Sequence, residues 1–193
     1  MSDSATYSKP HFKESTTAQR ESAVNAFAFD PSLKGEDVSK LFREGMSRLG
    51  ASVNVITTMT DGGPVGFTAT AVTSVTDTPP TLLVCLNRSS SVYSAFDQAE
   101  HLCVNVLGAG QDEVSGTFAS KLSQAERFAQ TQWQPMVTGA PSLTASATVF
   151  DCRIASRNTV GTHEVFFCEV VAVGLAEAAT NLVYFNRKYQ SLS

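Results

Sequence analysis

The sequence predicts a mainly β domain whose antiparallel strands close into a barrel, with helices as inserts between strands. Short runs of apolar or alternating residues recur from residue 52 to residue 174, and turn residues separate them. Helical spacing is limited to short segments between these runs, so the regular alternation of parallel βαβ units is not indicated. No Gly-x-Gly-x-x-Gly pattern occurs, which disfavours a dinucleotide-binding domain of the Rossmann type.

Composition limits the classes of protein to which the chain can belong. It has 193 residues, 42% of them hydrophobic, and a formal net charge of -4. This length fits one domain with a substantial core. The mild acidity offers no broad electrostatic surface for nucleic acid or an anionic membrane, and no apolar run is long enough to cross a bilayer. The polar start lacks the pattern of a secretory signal, so we expect a cytoplasmic protein.

The N-terminal region differs in composition from the rest of the chain. Residues 1–35 combine Ser, Thr, Ala and charged residues with scattered aromatics, which predicts a flexible extension. Apolar residues then recur at helical spacing from Val38 to Leu49, and Gly50 ends this helix. We therefore place the folded domain at residues 36–193.

The remaining elements follow in order along the chain. Residues 52–59 predict a strand, and residues 61–64 a tight turn into a second strand that continues through residues 66–74. The later elements are a strand at 82–86, a helix that starts at Ser91, a strand at 101–107, helical segments at 111–122 and 125–129, a loop at 133–141, and two long strands at 143–156 and 164–174 joined by residues 157–163.

The strand at residues 66–74 has small side chains on both faces over most of its length. Alternation sends Thr68 and Thr70 to one face, and Ala69 and Ala71 to the other. A strand that packs on a core shows large β-branched or aromatic residues on one face, so this strand leaves room for a flat ligand close to its backbone. Close packing against a helix or another subunit is the alternative.

The strand at residues 82–86 ends in a polar turn that leads into a helix. The turn residues are Asn87, Arg88, Ser89, Ser90 and Ser91. Ser90 or Ser91 is the expected N-cap of the helix. Free backbone N–H groups, the helix dipole, hydroxyl donors and one cation at this point suit a phosphate monoester. The alternative is that the serines only cap the helix and that Arg88 is a solvated surface charge.

The cysteines give no sign of a metal site. Cys85, Cys103, Cys152 and Cys168 are widely spaced, and no Cys-x-x-Cys or His-x-x-x-His element accompanies them. A zinc site is therefore not expected. We expect reduced thiols that behave as small core residues, and we assign no cysteine a catalytic role.

A series of short motifs along the chain resembles a known family. The motifs are Val55-Ile56-Thr57-Thr58, Gly66-Phe67-Thr68-Ala69, Thr73-Ser74-Val75, Pro79-Pro80, Cys85-Leu86-Asn87-Arg88-Ser89-Ser90-Ser91, Val104-Asn105-Val106-Leu107, Phe118-Ala119, Arg127-Phe128, Gly161-x-His163 and Tyr184-Phe185. Their order and spacing resemble the short-chain flavin reductases, which are the reductase components of two-component flavin-dependent monooxygenases. The resemblance covers about residues 41–189 and rests on the joint order of the motifs.

The resemblance implies a mainly β fold, a Greek-key-like split β-barrel related to the FMN-binding pyridoxamine-oxidase-like folds, and a homodimer. It implies that the small-residue strand lies against the flavin ring and that the polar turn lies by the ribityl and phosphate groups. The flavin-binding residues that it implies are Thr58, Gly66, Phe67, Thr68, Ala69, Thr70, Ser74, Leu86, Asn87, Arg88, Ser89, Ser90, Ser91, Phe118 and Arg127.

Two further regions are implied contacts of the cofactors. The family motif Gly-Asp-His occurs here as Gly161-Thr162-His163, so the resemblance assigns His163 to the nicotinamide. Thr162 replaces the family Asp, which leaves the choice between NADH and NADPH open; a histidine that only caps a hairpin loop is the alternative. Near the C-terminus, the residues implied to close over the ring or the nucleotide are Tyr184, Arg187 and Tyr189, and the alternative is plain packing with solvated charge.

The implied activity is that of an NAD(P)H:flavin oxidoreductase. It would transfer hydride from NADH or NADPH to FMN or FAD, and reduced flavin would diffuse to a separate monooxygenase. Hydride passes directly between two cofactors in such a reaction, so no catalytic side chain is expected. Two alternatives are a reductase that keeps its flavin and reduces a corrinoid or ferric iron, and a flavin- or haem-binding barrel without turnover.

Overall fold

The computed structural model describes residues 32–178 and 180–193. The extension expected at residues 1–35 lies mostly outside the described residues. Residues 43–178 and 180–193 form one structural unit, and residues 32–42 belong to a separate one. No helix of the described residues is long and apolar enough to cross a membrane.

Strands dominate the described chain. The helices are α1 (Glu36–Ser47), α2 (Tyr93–Gln98), α3 (Asp112–Ala119) and α4 (Gln124–Ala129). The strands are β1 (Ala51–Ser52), β2 (Asn54–Thr60), β3 (Gly63–Ala69), β4 (Val72–Asp77), β5 (Pro80–Asn87), β6 (His101–Val106), β7 (Trp133–Pro135), β8 (Pro141–Leu143), β9 (Thr148–Val160), β10 (His163–Leu175), β11 (Asn181–Phe185) and β12 (Lys188–Leu192).

The main sheet has seven antiparallel strands in the order β3-β2-β6-β9-β10-β5-β4. Strands β3 and β4 follow each other in the chain but lie at opposite edges of this sheet, and only Thr70 and Ala71 separate them. A link of this length spans roughly 10 Å, so the sheet must curl until its two edges meet at this end. The expected split β-barrel is therefore confirmed.

The interior of the barrel is filled by a cluster of apolar side chains from its strands and from α2. Val84, Leu102 and Phe166 are fully buried there, and the Phe96 ring of α2 packs edge-on against Phe67 with centroids 5.0 Å apart. A second cluster joins Phe118 and Phe128 of the helical inserts to Val55 of β2, Leu143 of β8 and Leu182 of β11. These two cores hold β3 between them.

Two-residue turns explain three of the hairpins. Thr60 pairs with Gly63, Val160 with His163, and Phe185 with Lys188. The predicted turn at residues 61–64 is thus confirmed. In the hairpin that precedes His163, Gly161 has a φ of 56°, a backbone conformation that glycine adopts without strain.

Four predictions about local structure are wrong. Residues 66–74 form two strands on opposite edges of the sheet, because small residues carry no signal of the bend at Thr70 and Ala71. Helix α2 starts at Tyr93 with Val92 as N-cap and no side-chain cap, so neither serine caps it. Residues 133–141 contain most of the β7-β8 ribbon, and most of the predicted link at 157–163 continues the two long strands.

Candidate cofactor site

A cavity of about 490 Å³ opens beside the link between β3 and β4. One wall is the end of β3 and the link, the second is the end of β5 with the polar turn, and the third is the end of α3 with a side chain from α4. The lining residues are Phe67, Thr68, Ala69, Thr70, Ala71, Cys85, Leu86, Asn87, Ser90, Ser91, Val92, Phe118, Ala119, Ser120, Arg127 and His163. The structure therefore brings together both stretches that the sequence singled out.

The first wall presents backbone as well as side chains to the cavity. Strand β3 is an edge strand, and the Gly66 N–H donates to Gln124 Oε1 at 2.8 Å while the Gly66 carbonyl accepts from Arg127 Nη1 at 3.0 Å. Alternate residues of a strand direct their N–H and C=O to the same edge, so the backbone groups of Thr68 also point to this unpaired edge. Small side chains at residues 68–71 leave these groups accessible to a flat ligand.

The second wall is a tight turn with free hydroxyl groups. Asn87 Oδ1 accepts from the backbone N–H and the hydroxyl of Ser89, both at 2.9 Å, and the Asn87 carbonyl accepts from the Ser90 N–H at 2.9 Å. Within the described residues, the hydroxyls of Ser90 and Ser91 have no hydrogen-bond partner. Because neither serine caps α2, both hydroxyls are available to a ligand.

The third wall contains a buried cation. Arg127 is 7% exposed, and its guanidinium reaches from α4 to the carbonyls of Gly66 and Phe118, both at 3.0 Å. It also donates to the carbonyls of Leu122 at 3.1 Å and Ser120 at 2.6 Å. Burial lowers the pKa of the Arg127 guanidinium, which nevertheless stays protonated because an arginine pKa starts above about 12.

His163 stands at the mouth of the cavity, at the first residue of β10. Its side chain is exposed, and its Nδ1 lies 3.0 Å from the Thr162 hydroxyl. When this hydroxyl donates, Nδ1 is the acceptor and Nε2 carries the ring proton. The neutral Thr162 hydroxyl, at the position where the resemblance implies an Asp, is thus the side-chain contact of the imidazole Nδ1.

Cys85 also lines the cavity, whereas the sequence analysis treats it as a small core residue. Burial raises the pKa of its thiol, so a neutral thiol faces the cavity at pH 7. The side chain acts as a small, weakly polar part of the wall.

Five of the fifteen expected flavin-binding residues lie away from this cavity. The Thr58 hydroxyl is buried and donates to the His101 carbonyl at 2.8 Å. Ser74 lines a separate, mostly apolar cavity of about 380 Å³ on β4. Arg88 lies over the Tyr93 ring, 5.8 Å from its centroid. The other two residues are Gly66, which faces the Phe118 ring, and Ser89, which bonds to Asn87.

The three C-terminal candidates lie behind the first wall. Tyr184 and Tyr189 pack against each other at 5.3 Å between ring centroids, and the Tyr189 hydroxyl lies 2.9 Å from the Ser115 hydroxyl. Together with Thr70 they border a small hollow of about 200 Å³. Arg187 borders a neighbouring groove of about 390 Å³ and pairs with Glu44 at 2.8 Å. These residues support the β3-β4 link from its far side.

Five lining residues were missed as candidates: Ala71, Cys85, Val92, Ala119 and Ser120. Ala71 continues the small-residue segment and could have been included on that pattern alone. Ser120 lies in the loop after α3, and its position depends on how α3 and α4 pack on β3, for which the sequence has no local signal.

Comparison with known proteins agrees with the geometry. Residues 46–193 match the family described as "Flavin reductase like domain". The chain belongs to this flavin reductase family. The membership implied by the motifs is therefore confirmed. The family match covers all three walls of the cavity, the His163 hairpin and the C-terminal hairpin.

Individual members of the flavin reductase family are similar over most of their length. The "FMN reductase (NADH) RutF" of Pseudomonas syringae pv. syringae (strain B728a) is 55% identical over 156 residues, which are 80% of this chain and 88% of that protein. The crystal structure of a putative flavin reductase from Haemophilus somnus 129PT is 43% identical, with a TM-score of 0.78 over 79% of this chain and 98% of that one.

A second similar structure is that of BorF, the flavin reductase component of a bacterial two-component tryptophan halogenase. It is 25% identical, has a TM-score of 0.74, and the match covers 80% of this chain and 98% of BorF. The barrel and its inserts are thus shared across members of the family with quite different sequences.

Proposed function

We propose that this protein is an NADH-dependent flavin reductase that acts on FMN and hands reduced flavin to a separate enzyme. The observation that carries the proposal is the cavity itself, in which an accessible strand edge faces a turn with free hydroxyls. The choice of FMN and NADH follows the name of the relative that is 55% identical.

The residues present fit a flavin mononucleotide. The unpaired edge at Thr68 offers backbone donors and acceptors to the polar edge of a ring, and Ala69 and Ala71 let the ring approach closely. The unpartnered hydroxyls of Ser90 and Ser91 offer donors to a phosphate. The cavity lining contains no Asp or Glu among the described residues, so nothing there repels an anion.

The flavin and nicotinamide supply the redox chemistry, which is hydride transfer from the reduced nicotinamide to the flavin ring. The chain's contribution is to hold the two groups in the correct relative position and to exclude side reactions. His163, at the mouth, offers its Nε2–H as a hydrogen-bond donor to the nicotinamide side. No acid or base from the protein is required for this step.

Two features of the working protein belong to the same proposal. Exposed apolar side chains on the barrel and the C-terminal hairpin, such as Val173, Phe185 and Leu192, provide surface for a homodimer. The free thiols of the four cysteines fit the reducing environment of the cytoplasm. We also retain residues 36–193 as the reductase domain and residues 1–35 as an extension.

The partner is proposed to be a flavin-dependent oxygenase or a related enzyme that receives reduced FMN by diffusion. The open mouth of the cavity supports release of the product. BorF serves a halogenase in a two-component system, which shows that a similar fold has this role in another protein.

The test is NADH oxidation by the purified protein with and without added FMN. We expect FMN-dependent oxidation in air, and anaerobic bleaching of the oxidised flavin absorbance by NADH. His163→Ala should raise the KM for NADH about tenfold, because it removes one hydrogen-bond donor from the nicotinamide. His101→Ala is the matched control, since His101 does not line the cavity. A protein that binds FMN but is not bleached by NADH would contradict the proposal.

A further inference from the structure

The cavity on β4 that Ser74 lines opens at the end of the barrel where β2 and β5 begin and β6 ends. We call it the barrel-end cavity, and its volume is about 380 Å³. Its apolar wall is part of the barrel interior and consists of Val72, Leu82, Val106, Phe150 and Val170. No residue lines both this cavity and the cofactor cavity. Small-molecule sites in proteins have volumes in this range, and the mouth of a β-barrel is one of their usual places.

A buried amide faces this apolar space. Asn54 is 2% exposed, lies two residues before the buried Ile56 on β2, and therefore points to the same side, into the barrel. Its Nδ2 donates to the carbonyls of Ser52 at 2.9 Å and Ala69 at 3.2 Å. Because both acceptors are carbonyls, these bonds fix which end of the amide is the nitrogen.

The oxygen of the same amide is left over. Among the described residues, no group donates a hydrogen bond to Asn54 Oδ1, although the oxygen is not sealed off from solvent and Asn54 lines the cavity. A buried acceptor without a partner is costly, whereas a ligand that donates to it recovers that cost. The barrel-end cavity thus combines an apolar wall with one preorganised acceptor.

The charge of the lining restricts the ligand further. Asp77, on the exposed rim, is the one charged side chain among the described residues that line the cavity, and the lining has no Lys, Arg or His. A carboxylate repels phosphate groups, and no cation is present to attract them. The cofactor cavity differs, because Arg127 lines it and no acidic residue does. FMN and NADH are therefore poor occupants of the barrel-end cavity.

We propose that the barrel-end cavity is a second binding site, and that it takes a neutral, mainly apolar compound of one or two rings that carries an N–H or O–H donor. The rings lie against the wall formed by Val72 and Phe150, and the donor bonds to Asn54 Oδ1. This ligand is distinct from the flavin and the nicotinamide of the proposed reaction.

The experiment compares indole with indene, which has the same bicyclic shape but a CH₂ group in place of the N–H. Binding is measured by isothermal titration calorimetry, without FMN or NADH, so the readout does not depend on reductase activity. We expect indole to bind with a Kd below about 1 mM and at least about fivefold more tightly than indene, because indene strips water from Asn54 Oδ1 without replacing the hydrogen bond. Amide NMR shifts locate the site, and the largest should fall on lining residues such as Val72 and Val106.

Two substitutions test the wall and the acceptor separately. Ser74→Phe places a ring in the cavity from the exposed edge strand β4 and should weaken indole binding at least about tenfold. Val75→Phe is the matched control, because Val75 lies next to Ser74 on the same strand but does not line the cavity, and indole binding should not change. Asn54→Ala should abolish the preference for indole over indene. Thermal unfolding followed by circular dichroism checks that each variant is folded.

The opposite results overturn the proposal. Indene that binds as tightly as indole would remove the role of Asn54, and unchanged indole binding in Ser74→Phe would remove the site even if Asn54→Ala fails to fold. NMR shifts centred on Thr68 and Ser90 would place indole in the cofactor cavity instead. Absence of indole binding, together with a dimer that dissociates in Ser74→Phe on analytical ultracentrifugation, would show that a second copy of the chain covers the cavity.

Discussion

Gly66→Ala is the substitution whose cost can be worked most directly from the structure. A Cβ atom at this position would lie 2.9 Å and 3.1 Å from two ring carbons of Phe118, and 3.2 Å from the Ile56 carbonyl oxygen. Phe118 cannot retreat easily, because it is 1% exposed and packs edge-on against Phe128 with centroids 5.1 Å apart. The glycine is therefore required for close packing of α3 on β3.

Overpacking a tight core costs about 1–3 kcal/mol, which lowers the Tm of a domain of this size by about 2–12 °C. Thermal unfolding followed by circular dichroism measures the loss. The displaced Phe118 ring also lines the cavity, so FMN affinity should fall in the same variant. Gly116→Ala on the exposed side of α3 is the control, because its added Cβ meets nothing within 4 Å and should raise stability by up to about 1 kcal/mol.

A double-mutant cycle identifies the clash as the cause. Phe118→Leu alone should destabilise by creating space, but Gly66→Ala should cost much less in that background than in the wild type. Strictly additive effects, or a Gly66→Ala variant as stable as the wild type, would refute the reasoning. In that case the observed distances would be absorbed by small backbone shifts.

Three other predictions concern thiols, an ion pair and a buried amide. Burial raises the pKa of the Cys168 thiol to about 12, and Cys85 is the one partly exposed cysteine of the four. A thiol reagent at pH 8 should therefore label only Cys85 in the native protein and all four cysteines in denaturant. Labelling of Cys168 in the native protein would contradict this prediction. The Arg187 guanidinium lowers the pKa of the Glu44 carboxyl in the folded state, so the stabilisation from this ion pair is present above the unfolded pKa and is lost as pH falls through the folded pKa. The Tm difference between wild type and Arg187→Gln should therefore shrink from pH 7 to pH 3. A Tm difference independent of pH would exclude the ion pair as its cause. Asn105→Ala should lower the free energy of unfolding, measured in urea, by about 3 kcal/mol, because it removes a fully buried amide that links β6 to β2 and β8. A loss below about 1 kcal/mol would contradict that role.

Much of the fold could be predicted because most of its strands have a recognisable local sequence pattern. Strand β5 contains a continuous apolar run from Leu82 to Leu86, and the turn at Asp61 and Gly62 has the residues that a two-residue hairpin needs. The bend at Thr70 could not be predicted, because residues of one size on both faces look the same whether the strand continues or crosses the barrel. The extension of β9 to Val160 was missed for a related reason: exposed polar residues at a strand end show no alternation of burial.

Those walls of the cavity that consist of residues close together in the sequence could be predicted. The segment at residues 67–70 and the turn residues Asn87, Ser90 and Ser91 were found as separate stretches, and the barrel brings them together. The positions of the two arginines show the limit. Sequence proximity favours Arg88, whereas the structure places it on Tyr93 and brings Arg127 from a helix insert 39 positions further along the chain.

Backbone hydrogen bonds set most of the distances between the walls of the cavity. Large side chains are therefore not needed to hold the walls apart or together. The Cys85 N–H donates to the Ala71 carbonyl at 3.1 Å, which joins the first wall to the second. The Arg88 N–H donates to the Thr162 carbonyl at 2.9 Å, which ties the turn to the hairpin that carries His163. The Arg127 guanidinium ties the third wall to Gly66 of β3. The hydroxyls of Ser90 and Ser91 are therefore not needed to hold the walls together, and among these ties only the one made by Arg127 depends on a side chain.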